Sequence, residues 1–108
     1  METKEKQYQQ FLDQKRVKLG LMSGDAYLGD TKRLTFTLSR YKFVSKMLSQ
    51  QDRVLEVGCA DAFGSTLVLK EVNHLSACDF DQLFIDDAKR NHPFATDINF
   101  FTHDMVTN

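Results

Sequence analysis

A chain of 108 residues, 42% hydrophobic and 27% charged, has the composition of a single soluble globular domain and is too short for two independent cores. Fourteen Lys and Arg against fifteen Asp and Glu leave a formal charge of −1, and no apolar run approaches the ~18 residues of a membrane span. The opening Met1-Glu2-Thr3-Lys4-Glu5-Lys6 lacks the apolar core of a signal peptide, and Cys59 and Cys78 are too few for a disulfide framework, so a cytoplasmic domain away from membranes is expected.

The near-zero total hides an asymmetry. Residues 1–50 hold ten basic and five acidic side chains (+5), and residues 51–108 hold four and ten (−6). The charges of the first half are spread out and mixed with acids, which gives no patch of the kind that binds nucleic acid.

In chain order, Tyr8, Phe11, Leu12 and Leu19 form a narrow apolar stripe that predicts a helix over 4–19. Gly20, Gly24 and Gly29, with Ser23, Asp25 and Asp30, read as a loop. Asp30 or Thr31 then caps a second helix over 31–49. Along it run one stripe of Leu34, Leu38, Tyr41, Val44 and Leu48 and another of Phe36, Phe43 and Met47, a width that predicts cover on most sides. Arg53–Val57 reads as a buried parallel strand ending at Gly58. A helix over 64–72, a strand over 74–78, a helix capped by Asp81 and stopped at His92-Pro93, and a strand over 98–102 complete the pattern. The expected fold is α/β: a parallel sheet of three strands in the order 3-2-1, preceded by two helices.

The informative stretch is Val54-Leu55-Glu56-Val57-Gly58-Cys59-Ala60-Asp61-Ala62-Phe63-Gly64. A strand delivers the chain to Gly58, where a missing Cβ lets a ligand lie against the backbone. The turn feeds a helix near Gly64, whose free amides favour a carboxylate or phosphate. Asp79 follows Gly58 by 21 residues, about the ~20 at which an acid meets a ribose diol in mononucleotide-binding sheets. Asp104 ends the third strand beside apolar Met105. A carboxylate for a sugar and another beside a slot for a base suit a nucleoside.

These residues resemble the N-terminal half of the Rossmann-like domain of class I S-adenosylmethionine-dependent methyltransferases. The family's acid-x-Gly-x-Gly-x-Gly motif is matched by Glu56-x-Gly58-x-Ala60-x-Ala62. Two glycines are replaced by alanine, which is expected to narrow the groove by two methyls; Cys59 and Gly64 fit what relatives carry there. The resemblance implies S-adenosyl-L-methionine as cofactor, bound by Glu56, Gly58, Cys59, Ala60, Asp79, Phe80, Asp104 and Met105, with Asp79 on the ribose, Phe80 beside the adenine and Asp104 on its amino group. Glu56 reads equally as a paired structural acid or as a residue that holds the turn and approaches the methionyl amine.

It further implies that residues 1–30 are a helix and loop that form a lid, with Tyr27, Arg33 and Arg40 as lid candidates, and that 31–108 is a cofactor-binding domain incomplete against the family's seven strands. The isolated chain is then not expected to turn over. No catalytic residue is assigned; the acceptor stays unidentified, with sugar, lipid, small molecule or protein open and the first three expected over nucleic acid, and the open sheet edge offers a route to a homodimer. Three other readings compete. One is a truncated nucleoside-binding or dimerisation module without catalysis. A nicotinamide-dependent (NAD) oxidoreductase would need glycine where Ala60 and Phe63 stand, and the metal-binding D-x-D of a glycosyltransferase would need Asp81, which is better used as a helix cap. Cys59, Cys78 and His103 match no zinc spacing, so no metal is expected. His74 and His92 read as loop residues.

Overall fold

In the computed structural model, residues 4–13 and 16–104 are described. The elements are α1 (Lys4–Asp13), α2 (Leu21–Gly29), α3 (Thr31–Met47), β1 (Arg53–Val57), α4 (Ser65–Leu69), β2 (His74–Asp79), α5 (Gln82–Asn91) and β3 (Ile98–Thr102). The three strands are parallel with β2 in the centre, the expected order. Their register sets Val54 beside Leu75 and Ile98, and Glu56 beside Ala77 and Phe100. Because side chains alternate across a strand, these residues share one face. Val68 of α4 and Ile85 and Ala88 of α5 join them in the core.

The opposite face carries Leu55, Ser76 and Asn99, then Val57, Cys78 and Phe101. Here the expectation of a buried first strand is corrected: Leu55 is 55% and Val57 52% exposed. The core lies on the other side of the sheet, and β1 is an edge strand paired only with β2 among the described residues. Its apolar run is that of a strand covered on both faces, but only one face is covered.

Four expectations about the N-terminal segment also change. The first helix ends at Asp13, so Leu19 is not on its stripe. Instead Val17 to Gly20 border a hollow with Leu38, Asp61 and His92 to Phe94. The glycine-punctuated stretch read as a loop is helix α2, giving three helices before the sheet rather than two. The second stripe of α3 is uncovered, Phe36, Phe43 and Met47 each being largely exposed. Asp30 occupies the cap position of α3, but its side chain makes no capping bond; the Thr31 hydroxyl donates instead to the Tyr27 carbonyl at 2.6 Å.

Asp81 caps α5 as expected, its carboxylate accepting from the Leu83 N–H at 3.0 Å. His92 does more than occupy a loop. The Phe94 N–H donates to its Nδ1 at 3.0 Å, which leaves the proton on Nε2 to donate to the Ala62 carbonyl at 2.8 Å. The end of α5 is thereby tied to the turn that follows β1.

Candidate functional site at the strand ends

Parallel strands deliver their carboxyl ends to one side of the sheet, where Gly58, Asp79-Phe80 and His103-Asp104 succeed β1, β2 and β3. Hydrogen bonds join these ends. The Gly58 and Cys59 N–H groups donate to the Cys78 carbonyl at 2.8 and 2.9 Å, and the His103 N–H donates to the Asp79 carbonyl at 3.0 Å. The buried Asp79 carboxylate accepts from the Ala60 N–H at 2.8 Å through Oδ2 and from the Asp81 N–H at 3.0 Å through Oδ1. A carboxylate oxygen accepts about two bonds, so each retains the capacity to accept one more.

The turn after β1 alternates in conformation. Gly58, Ala60 and Ala62 have φ of +77°, +50° and +60°, the left-handed region that favours glycine. A Cβ built on Gly58 meets nothing within 4 Å, so the backbone there faces open space. The two alanines do not narrow the groove together, as the sequence led us to expect. Ala62 is fully buried in the core, and only Ala60 borders the neighbouring hollow.

That hollow, of about 180 Å³, lies between the glycine turn and the N-terminal helices. Gly58, Cys59 and Ala60 line it on one side and Met22, Arg33, Thr37 and Arg40 on the other. Asp79, Phe80 and Asp104 do not line it; Phe80 is 74% exposed. Met105 lies outside the described residues. Of the lid candidates, Arg33 and Arg40 border the hollow and Tyr27 does not.

Glu56 is engaged by protein on both oxygens, the Tyr41 hydroxyl donating to Oε2 and the Ser65 hydroxyl to Oε1. These bonds are those of a paired structural acid, joining α3, β1 and α4. Burial, and then the Glu56 charge, push the Tyr41 hydroxyl far above its ordinary range. Burial likewise drives the Cys59 thiol up to about 12, with the carboxylates of Glu56 and Asp79 adding to it. Cys59 is thus a neutral thiol at physiological pH. The start of α4, expected to offer amides to an anion, has Tyr41 packed against Gly64 and spans only five residues.

Sequence reading missed Asp61. Its buried carboxylate accepts the Ser23 N–H at 2.7 Å, the Ser23 hydroxyl at 3.1 Å and the Phe63 N–H at 3.1 Å. Ser23 is the third residue of α2, whose cap position is the side-chain-free Gly20. Asp61 therefore supplies the cap from the glycine turn, 38 residues away. A bare glycine at a helix start was the one local sign that an acceptor had to come from elsewhere.

No protein-family model and no curated protein matches the sequence. Solved structures do match. A dimethyladenosine transferase from Plasmodium falciparum aligns over 67% of this chain and 26% of its own, at 19% identity and a TM-score of 0.54. A TehB-like S-adenosylmethionine-dependent methyltransferase from Corynebacterium glutamicum aligns over 78% and 46%, at 18% identity and 0.53. The Trypanosoma brucei PRMT1 enzyme-prozyme complex with AdoHcy aligns over 80% and 26%, at 21% identity and 0.53. The chain thus has the methyltransferase-like α/β fold, and it spans from about a quarter to just under half of the length of these structures.

Proposed function

We propose that the chain is the cofactor-binding part of an S-adenosylmethionine-dependent methyltransferase. The observation that carries this reading is the placement of Gly58, Asp79-Phe80 and Asp104 at one side of a parallel sheet, with open space before Gly58. Ligands of open α/β sheets bind at the carboxyl ends of the strands. Gly58 lets the ligand approach the backbone, Asp79 accepts from the ribose hydroxyls, and Phe80 stacks on the adenine. Asp104 and Met105 flank the base. Glu56 and Cys59 act from behind: Glu56 fixes the turn through Tyr41 and Ser65, and the Cys59 thiol donates to the Ala60 carbonyl at 3.5 Å. Residues 1–30 form the lid, with α2 fastened to the turn by Asp61.

The bound sulfonium supplies the activated methyl group. What these residues contribute is position, holding the adenosine so that methyl and acceptor align, with α2 and α3 limiting water beside the turn. Binding is the step that the chain's own residues account for. An acceptor that is a small molecule, sugar or lipid, and a second copy paired along β1, complete the proposal.

Calorimetric titration with S-adenosylhomocysteine tests it. Saturable binding to the wild type is expected. Phe80→Ala removes an exposed ring without disturbing the core and should weaken binding by about 1–3 kcal/mol, the range of an aromatic–base stack. A wild-type chain that binds no S-adenosylhomocysteine at millimolar concentration overturns the reading.

A further inference from the structure

Phe36, Phe43 and Met47 stand at i, i+7 and i+11 on α3, one stripe of the helix, and each is 68–69% exposed. The opposite side is committed to the fold: Tyr41 packs on Gly64, and Tyr41 and Leu48 lie against the core. The free stripe is a convex ridge, about 22 Å long from Lys32 to Met47 at the rise of an α-helix. Lys32 lies four residues before Phe36 on the same line. Arg33 and Arg40 border the ridge on one flank, and Lys42 and Lys46 on the other.

All five cations are exposed, and α3 contains no carboxylate. Lys46 pairs with Glu71 at 3.3 Å; the other four have no ion pair among the described residues. Asp30, the acid adjoining α3 in sequence, is at the cap position before it. Ser39, three residues after Phe36 and four before Phe43, lies between the two rings. Its hydroxyl donates to the Thr35 carbonyl at 2.9 Å, so the proton at the centre of the ridge is already used inside the helix.

Charge complementarity calls for an anionic surface, and the free rings call for an apolar layer beneath it. An anionic lipid bilayer supplies both. Rings and methionine enter at the level of the headgroups, while long Lys and Arg stems carry their charges back to the phosphates. A basic amphipathic helix also suits a protein that wraps it, but one side of α3 is packed on the glycine turn and the core and cannot be enclosed. We infer that α3 docks the chain sideways on anionic membranes, with Phe36, Phe43 and Met47 inserted and Lys32 and Lys42 among the headgroups. Among the described residues no helix is long and apolar enough to cross a membrane, so the contact is with the surface alone. It departs from the expectation of a domain away from membranes, which rested on the lack of a spanning segment. It goes beyond the cofactor reading and does not depend on it.

Co-sedimentation with vesicles tests the inference, using phosphatidylcholine alone and an about 3:1 mixture of it with phosphatidylserine. The chain is expected to bind the mixed vesicles, and the neutral ones at least about tenfold more weakly. Phe36→Ala with Phe43→Ala keeps every charge and should weaken binding to the mixed vesicles at least about tenfold. Lys32→Gln with Lys42→Gln keeps both rings and should weaken it by about tenfold or more, since each cation near such a surface contributes about fivefold. Lys89→Gln with Arg90→Gln, the same charge loss in the last turn of α5, should change it by less than about twofold. All six side chains are exposed, so the melting temperatures should match the wild type. The sequence has no tryptophan, so Phe43→Trp adds a single reporter whose emission should shift to the blue on mixed vesicles and stay in place on neutral ones.

Equal binding to both kinds of vesicle, or binding to neither, overturns the inference. So does binding to mixed vesicles that survives the loss of both rings, because a diffuse field is then sufficient. If polyglutamate shifts the Phe43→Trp emission as far as the vesicles do, the occupant is an acidic polypeptide and the membrane assignment falls.

Discussion

The ring of Tyr41 occupies the space that a side chain on Gly64 would need: a Cβ built there falls 2.1 Å from the Tyr41 Cδ2 atom. Gly64 is thus an approach point for α3, and the same tyrosine reaches past it to Glu56. Gly64→Ala should destabilise the fold by about 2–3 kcal/mol, the upper range for overpacking, because the ring is flanked by the glycine turn and cannot retreat without leaving Glu56. Tyr41→Phe keeps the ring and removes only the hydroxyl, leaving a carboxylate oxygen short of a partner, at a cost of about 1–3 kcal/mol. Urea denaturation of the two variants checks both values.

Ala60 and Ala62 share a backbone conformation and differ in surroundings, so the same substitution should affect them differently. Ala60→Gly relieves a left-handed alanine costing about 1–2 kcal/mol and gives back part of that in unfolded-chain entropy, for a net gain of about 0.5–1 kcal/mol. Ala62→Gly gains similarly but empties a methyl site in the core, worth about 0.8 kcal/mol, and should be near neutral. Paired thermal melts that show Ala60→Gly no more stable than the wild type would remove backbone strain from the account of this turn.

Asp61 holds α2 through a cap that bridges two distant segments. Asp61→Ala should cost about 1–2 kcal/mol and loosen α2 in particular. Amide hydrogen exchange is the discriminating measurement: protection across 21–29 should fall by more than protection across β2. Ser23→Ala removes one of the three bonds and should give a smaller change in the same direction.

Cys59 titrates far above an ordinary thiol, which gives two readouts. Alkylation of native protein at pH 8 should be slow at Cys59 and should accelerate on unfolding, where the thiol returns to about 9. The sign of the linkage follows from the raised value. The folded state keeps the proton to about pH 12 while the unfolded chain releases it near 9, so the stabilisation is whole below pH 9 and is lost as pH rises between the two. Tyr41 shifts in the same direction and adds to the loss in alkali. A denaturation midpoint that rose from pH 9 to 11 would contradict both.

What was legible in the sequence is what nearby residues decide. The strands at 53–57 and 98–102 follow from short apolar runs between turn residues, and the start of α5 from Asp81 two residues before its hydrogen-bond partner Leu83. Gly58 and Asp79 were found at the ends of their strands because the β-α-β pattern has a fixed direction. Helix α2 was hidden because its cap, Asp61, comes from another part of the chain. The exposure of Leu55, Val57 and Phe36 was hidden because an apolar pattern records which faces suit burial, and not whether something covers them. Whether Glu56 served the ligand or the scaffold was undecided in the sequence, since both Tyr41 and Ser65 reach it only after α3 and α4 have packed.

Val57 is at once the last residue of the free edge of β1 and the residue before Gly58. Any strand that bonded along that edge would immobilise the stretch that bends at Gly58, and a ligand seated against the bend would in turn steady the edge. Filling one lowers the entropic cost of filling the other, so the two events share a single coupling free energy with the same value in either direction. Nucleoside affinity would then depend on protein concentration, and assembly on nucleoside.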